Sequence, residues 1–129
     1  VGSDFLNKMF HSDMAIVGGE DPAALLSASD VAVCGNSTII YEAMLAQKPV
    51  VLYPWAHFLT YHTEMYASGA PIAHTTDDFC SIIERIFIDS VYAKNLVERQ
   101  KAFMRGYSFD GHSARRIVTL LRKKLVPYE

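Results

Sequence analysis

Apolar residues in this chain fall into short unbroken runs separated by stretches with helical spacing, and that alternation predicts the order of elements. Asp4 opens a short helix reaching Phe10, and Met14-Ala15-Ile16-Val17 is a compact strand candidate ending at Gly18-Gly19. Asp21-Pro22 reads as an N-cap followed by proline at the first helical position, where the missing N–H has no intrahelical role. The helix it opens carries Ala24, Leu25 and Leu26. Val31-Ala32-Val33-Cys34 is a second apolar run and Gly35-Asn36-Ser37 a turn. Residues 38–46 then predict a helix that sets Ile39, Ala43 and Ala46 on one face. Lys48-Pro49 stops that helix, and Val50-Val51-Leu52-Tyr53 forms a third strand before Pro54.

Strands without internal alternation, separated by helices, suit a parallel sheet covered on both faces. Because such crossovers are right-handed, the expected fold class is α/β, a doubly wound parallel sheet of Rossmann-like kind. Past Tyr53 the pattern loosens. Residues 57–68 read as helical, Pro71-Ile72-Ala73 as a short strand, and Asp77-Asp78 as the opening of a helix through Phe87. Two more helices are expected over 90–105 and 113–125, broken by Gly106 and by Asp110-Gly111. At 129 residues, half of them apolar, the chain suffices for one domain, and no internal repeat or low-complexity tract divides it.

Composition adds three points. The longest apolar stretch, residues 31–53, is interrupted by Gly35-Asn36-Ser37, Glu42 and Gln47-Lys48-Pro49, so it does not read as a membrane span. With no basic start followed by an apolar run, a cytoplasmic setting is expected. Cys34 and Cys80 show neither metal-ligand spacing nor a framework of pairs, and both read as small buried hydrophobes of a reducing compartment. The net charge of −2 is unevenly spread: residues 1–93 hold 3 Lys/Arg against 11 Asp/Glu, and residues 94–129 hold 9 against 3. Solvated helix faces account for such a segment, and so does a surface, residues 94–124, that faces anionic lipid or a lipid-linked acceptor at the inner face of a membrane. Nucleic acid is not an expected partner, since the overall charge is not basic and no binding motif is present.

Candidate chemistry concentrates at one junction. In open parallel sheets ligands sit beyond the carboxyl ends of strands, where loops enter helices. Gly35-Asn36-Ser37-Thr38 occupies such a place, and its polar groups suit either a plain helix cap or a bound phosphate favoured by the helix dipole. Glu42, four residues after Thr38, projects from the same face about 5–6 Å away. A carboxylate at that distance from a nucleotide phosphate accepts hydrogen bonds from ribose hydroxyls; otherwise it is an exposed helix glutamate.

The run ASDVAVCGNSTIIYEAMLAQKPVVLYPW resembles the C-terminal, nucleotide-donor-binding domain of GT-B glycosyltransferases, in which a strand, a small-residue turn and a helix of the form S-[GST]-x-x-x-x-E precede a G/K-x-P strand. It is similar to the lipid-linked N-acetylglucosaminyl transferase of peptidoglycan synthesis and to the CDP-glycerol glycerophosphotransferases of teichoic acid and capsule synthesis. The resemblance covers about residues 14–75 well. It implies that Asn36, Ser37 and Thr38 lie at the donor diphosphate, that Glu42 holds the ribose, and that Gly18, Gly19 and Glu20 lie near the base.

After the third strand this sequence departs from the peptidoglycan enzyme. Where that family carries an acidic-Gln or Gln-Gln pair that contacts the sugar, the chain reads Trp55-Ala56-His57 and continues to His62-Thr63-Glu64. Leu52-Tyr53-Pro54-Trp55 and the late Asp110-Gly111-His112-Ser113-Ala114-Arg115-Arg116-Ile117 look more like the glycerophosphotransferases, although that group usually has Asp where Glu42 stands. Trp55, His57 and His62 are candidate contacts for the transferred group, with ordinary packing or surface positions as the alternative. No histidine or carboxylate pair has ligand spacing, so neither metal nor cofactor is expected and the nucleotide diphosphate donor is a substrate.

The resemblance further implies that acceptor and general base come from a separate N-terminal domain outside these 129 residues, so that this chain alone binds nucleotide and turns over nothing. Two other classes share the element order. A sugar-nucleotide epimerase of the same architecture needs further acid and base residues that the sequence does not display. A non-catalytic doubly wound module needs no site at all.

Overall fold

The computed structural model describes residues 18–35, 37–53 and 63–125. Within them helices and parallel strands alternate: α1 Pro22–Ala28, β1 Ala32–Cys34, α2 Ile39–Leu45 and β2 Val50–Leu52. A 3-10 segment, Thr63–Ser68, leads to α3 Thr76–Ile88, α4 Ser90–Met104 and α5 Ser113–Leu125. The helix expected over residues 4–10 and the strand expected over 14–17 lie outside the described residues, as do residues 57–62 of the helical reading after the third strand.

β1 and β2 pair in parallel with Ala32 opposite Val50 and Cys34 opposite Leu52. Ala32 N donates to Pro49 O at 2.9 Å and Tyr53 N to Cys34 O at 3.0 Å, which extends the ladder at both ends. α2 supplies the crossover that a parallel pair requires. On the other edge of β2, Leu52 N donates to Pro71 O at 2.9 Å and Ala73 N to Leu52 O at 2.8 Å, a single parallel bridge to Ile72. The expected strand at residues 71–73 is therefore one bridge long. Pro71 has no N–H to offer the ladder, which limits how far pairing extends.

Alternate residues of a strand point to opposite faces, and β2 uses both. Val50 and Leu52 pack into a cluster with Leu26, Ile40, Ala43, Met44, Met65 and Met104. Val51 packs into a second cluster with Ala73, Ile86 and Leu96. All three β2 residues are fully buried, which is why the run carries no polar alternation. The fold is thus mixed α/β, with helices on both faces of a small parallel sheet. α4 contributes to both clusters, through Leu96 on one side and Met104 on the other. Between them the buried Gln100 donates from Nε2 to Val50 O at 3.2 Å, closing a carbonyl on the β2 edge, while its Oε1 has no hydrogen-bond partner among the described residues.

Helix limits follow from local chemistry. Asp21 Oδ1 accepts from Ala23 N at 3.1 Å, the cap expected ahead of Pro22. α3 does not open at Asp77-Asp78: Thr75 is its cap, Thr75 Oγ1 accepting from Asp78 N while Asp78 Oδ2 accepts from Thr75 N, a reciprocal capping box. Asp89 closes α3 and caps α4, accepting from Tyr92 N at 2.9 Å. α2 buries Ile40, Ala43 and Met44 rather than the face of Ile39, Ala43 and Ala46, because the helix must face the sheet and α4 together; Ala46 is exposed. It ends at Gln47, whose φ of 58° is left-handed, with Lys48 N donating to Ala43 O. Lys48 Nζ then donates to Ser27 O at 3.0 Å, tying the end of α2 to α1. Cys34 is buried as expected, whereas Cys80 is exposed on the outer side of α3. The buried residue of α3 is Ile86, with Phe79, Ile82 and Ile83 packed beside it, and Cys80 falls off that stripe.

Candidate functional site

Parallel pairing places the carboxyl ends of β1 and β2 side by side, so the loop from Gly35 to Thr38 and the chain after Tyr53 leave from the same edge. Ser37 starts α2 by accepting at Oγ from Ile39 N, at 3.3 Å. The first turn is tight: Ile40 N donates to Ser37 O at 3.3 Å and Tyr41 N to Thr38 O at 3.0 Å. Thr38, at the N-cap position, makes no side-chain cap bond, so the capping work falls to Ser37. Both residues are exposed.

Thr38 and Glu42 line one groove of about 320 Å³, and its remaining walls are Tyr41, Tyr107 and Phe109. The two polar side chains come from successive turns of one helix edge, as their four-residue spacing predicts. The aromatic wall has a separate origin in the segment after α4. Tyr107 packs edge-on against Tyr41 at 5.4 Å between centroids, and tilted against Phe103 at 5.3 Å and Phe109 at 6.2 Å. Such edge and offset contacts hold rings in place without covering every face. Phe109 is about half exposed. Reading the sequence did not single out Tyr107 and Phe109; the only signal they offer is an aromatic pair just past Gly106, where α4 ends.

Ser37 belongs to a different depression. With Pro22, Leu25, Leu26, Ser29, Ala32, Val33, Cys34 and Ile39 it lines an apolar groove of about 520 Å³ between α1 and β1. The start of α2 therefore separates two grooves, with Ser37 facing one and Thr38 and Glu42 the other. Gly18, Gly19 and Glu20 are exposed and line neither groove. They precede Pro22, which lines the Ser37 groove. Asn36, Trp55, His57 and His62 lie outside the described residues.

Tyr53 is half-buried and packs edge-on against Phe79 at 5.6 Å, so its ring belongs to the second core cluster. Burial pushes the Cys34 thiol up to about 11, which makes it a packed sulfur and a poor nucleophile. Among the described residues no group of three His, Cys, Asp or Glu side chains is placed to hold a metal ion, and none of the helices is long and apolar enough to cross a membrane. His74 and His112 are both exposed.

Comparison of the chain with protein-family models, with curated proteins and with solved structures returns no match.

Proposed function

We propose that this chain is the donor-binding domain of a transferase that uses a nucleoside-diphosphate-activated sugar or glycerol, and that its fold is the doubly wound, C-terminal half of a GT-B architecture. The observation that carries the reading is the groove that Thr38 and Glu42 line together with Tyr41, Tyr107 and Phe109. The groove wall is mostly apolar, its rings offering faces to a base, while the Thr38 hydroxyl and the Glu42 carboxylate belong to the same helix edge, one suited to phosphate oxygens and the other to paired hydroxyls. That combination suits a nucleotide. The parallel strand end above α2 is where ligands of open α/β sheets sit.

In this reading Glu42 holds the ribose and Thr38 faces the diphosphate, whereas Ser37 opens onto the neighbouring groove. Transfer from such a donor builds negative charge on the leaving phosphate, and hydroxyl and amide donors fixed beside it lower that barrier. The acceptor and the general base belong to a second domain across the cleft. A membrane-bound or lipid-linked acceptor and a cytoplasmic setting complete the proposal.

Titration calorimetry with UDP, CDP, GDP and a free sugar tests it. The expected result is binding of at least one nucleotide and none of the sugar. Because a charge-assisted hydrogen bond contributes about 1.5–3 kcal/mol, Glu42→Ala should weaken that nucleotide roughly tenfold to a hundredfold. Negligible heats with all three nucleotides, or an affinity indifferent to Glu42, would remove the nucleotide assignment.

A further inference from the structure

Helix α5 is the one described helix with no buried residue. Every one of its positions from Ser113 to Leu125 is exposed, yet its sequence is built like a half-buried helix. Ile117, Val118, Leu121 and Leu125 recur at spacings of three and four, which sets them along one side. Ile117 stands 57% exposed, Leu121 51% and Leu125 73%. Exposed apolar side chains arranged as a stripe, rather than singly, mark an interaction surface.

Charge identifies what the stripe faces. Arg115, Arg122 and Lys123 fall on the side away from Leu121, Lys124 lies beside the stripe near the end, and the helix contains no acidic residue. Arg116 is committed elsewhere: its guanidinium donates to both Asp110 oxygens, at 2.8 and 2.7 Å, and to Ser113 Oγ at 3.0 Å, which anchors the start of the helix. The other four cations have no side-chain partner among the described residues. Cations without a side-chain partner among the described residues on one side, an apolar stripe on the other and no anion make the composition of a helix that lies in a membrane interface. Long basic side chains at the boundary extend their charged ends toward headgroups while their stems cover apolar surface. At about 1.5 Å per residue, thirteen residues make a rod about 20 Å long, suited to lying flat and too short to span.

We propose that α5 docks the domain onto an anionic lipid surface, with Ile117, Leu121 and Leu125 entering the acyl boundary and Arg115, Arg122, Lys123 and Lys124 meeting phosphate headgroups. No residue of this surface lines the groove around Glu42, and the proposal does not depend on the nucleotide reading.

Co-sedimentation of the 129-residue chain with phosphatidylglycerol vesicles and with phosphatidylcholine vesicles tests the proposal. The chain should pellet with the anionic vesicles, weakly or not at all with the zwitterionic ones, and less as salt is raised. Each basic residue near an anionic surface strengthens partitioning roughly fivefold, so Arg122→Glu combined with Lys123→Glu should weaken it by well over tenfold. Leu121→Asp should abolish it. Since no residue of α5 is buried, both variants should keep the parent thermal midpoint and circular dichroism to within a few degrees. Equal partitioning to both vesicle types, or binding that survives both variants, would overturn the proposal. So would an α5-dependent dimer that forms without lipid, which would assign the stripe to a protein contact instead.

Discussion

Leu96→Ala offers the most direct test of how this fold is held together. Leu96 is fully buried on α4 and joins Val51 of the sheet to Ala73 and to Ile86 of α3. Truncation removes three carbons from the core, and at about 0.8 kcal/mol for each the transfer term alone is about 2.4 kcal/mol. The neighbours determine how much cavity remains. Val51 is fixed in a ladder and stiff at χ1, Ala73 carries only a methyl group with no torsion to swing inward, and Ile86 is held on a helix capped at both ends. Little collapse is available, so the total should reach about 3–4 kcal/mol, within the range for buried leucines. At about 4 °C per kcal/mol for a domain of this size, the midpoint should fall by about 12–16 °C. Thermal unfolding followed by far-UV circular dichroism measures this, with Leu125→Ala as the control. Leu125 is 73% exposed, and its truncation should cost under about 0.5 kcal/mol. A drop for Leu96→Ala of less than about 4 °C, or one no larger than the control, would refute the two-cluster account of the core.

Three further outcomes follow from particular residues. Gln47 closes α2 with a φ of 58°, so Gln47→Gly should stabilise the chain by about 1 kcal/mol; a lower midpoint would show that the side chain matters more than the backbone. Near neutral pH a thiol reagent should label Cys80 quickly and Cys34 only on unfolding, since burial holds the Cys34 thiol up at about 11; two equally fast thiols would contradict the packing around β1. The hydrogen bonds from Arg116 hold the Asp110 carboxyl below its ordinary 3.8, so their contribution to the start of α5 is complete above that value and is lost as pH falls through the lower folded value. Protection of the α5 amides, taken relative to their intrinsic exchange rates at each pH, should therefore fall on acidification by more than it does in Asp110→Asn, and unchanged α5 protection through the acid limb would count against the clamp.

Much of the local structure was legible in order and type. Asp21-Pro22, Lys48-Pro49 and Asp110-Gly111 mark helix limits because their constraints are local: a side-chain acceptor two residues away, a missing N–H, a permissive φ. The three-residue β2 was legible because a strand covered on both faces needs no polar position. The α3 start was misplaced by one residue because Asp78 acts as the third-position partner of the cap Thr75, a role that an isolated acidic pair does not reveal. The α2 face was misassigned because its spacing allows several apolar arcs, and only contact with β2 and α4 selects Ile40, Ala43 and Met44. For the candidate site, the convergence of Thr38 and Glu42 follows from helical spacing, whereas their separation from Ser37 and their pairing with Tyr107 do not.

By itself the sequence determined whatever depends on a few neighbouring residues: the alternation of strands and helices, the caps and stops, the single helix edge shared by Thr38 and Glu42, and the basic, amphipathic character of α5. Tertiary structure alone decided which apolar stripes are buried, that α4 joins the two cores with Gln100 between them, and that Tyr107 and Phe109 wall the groove sixty-five or more residues from Glu42 in sequence. The division has a physical cause. Backbone hydrogen bonding and side-chain periodicity act within a turn or two, whereas burial depends on which distant surface arrives to exclude water.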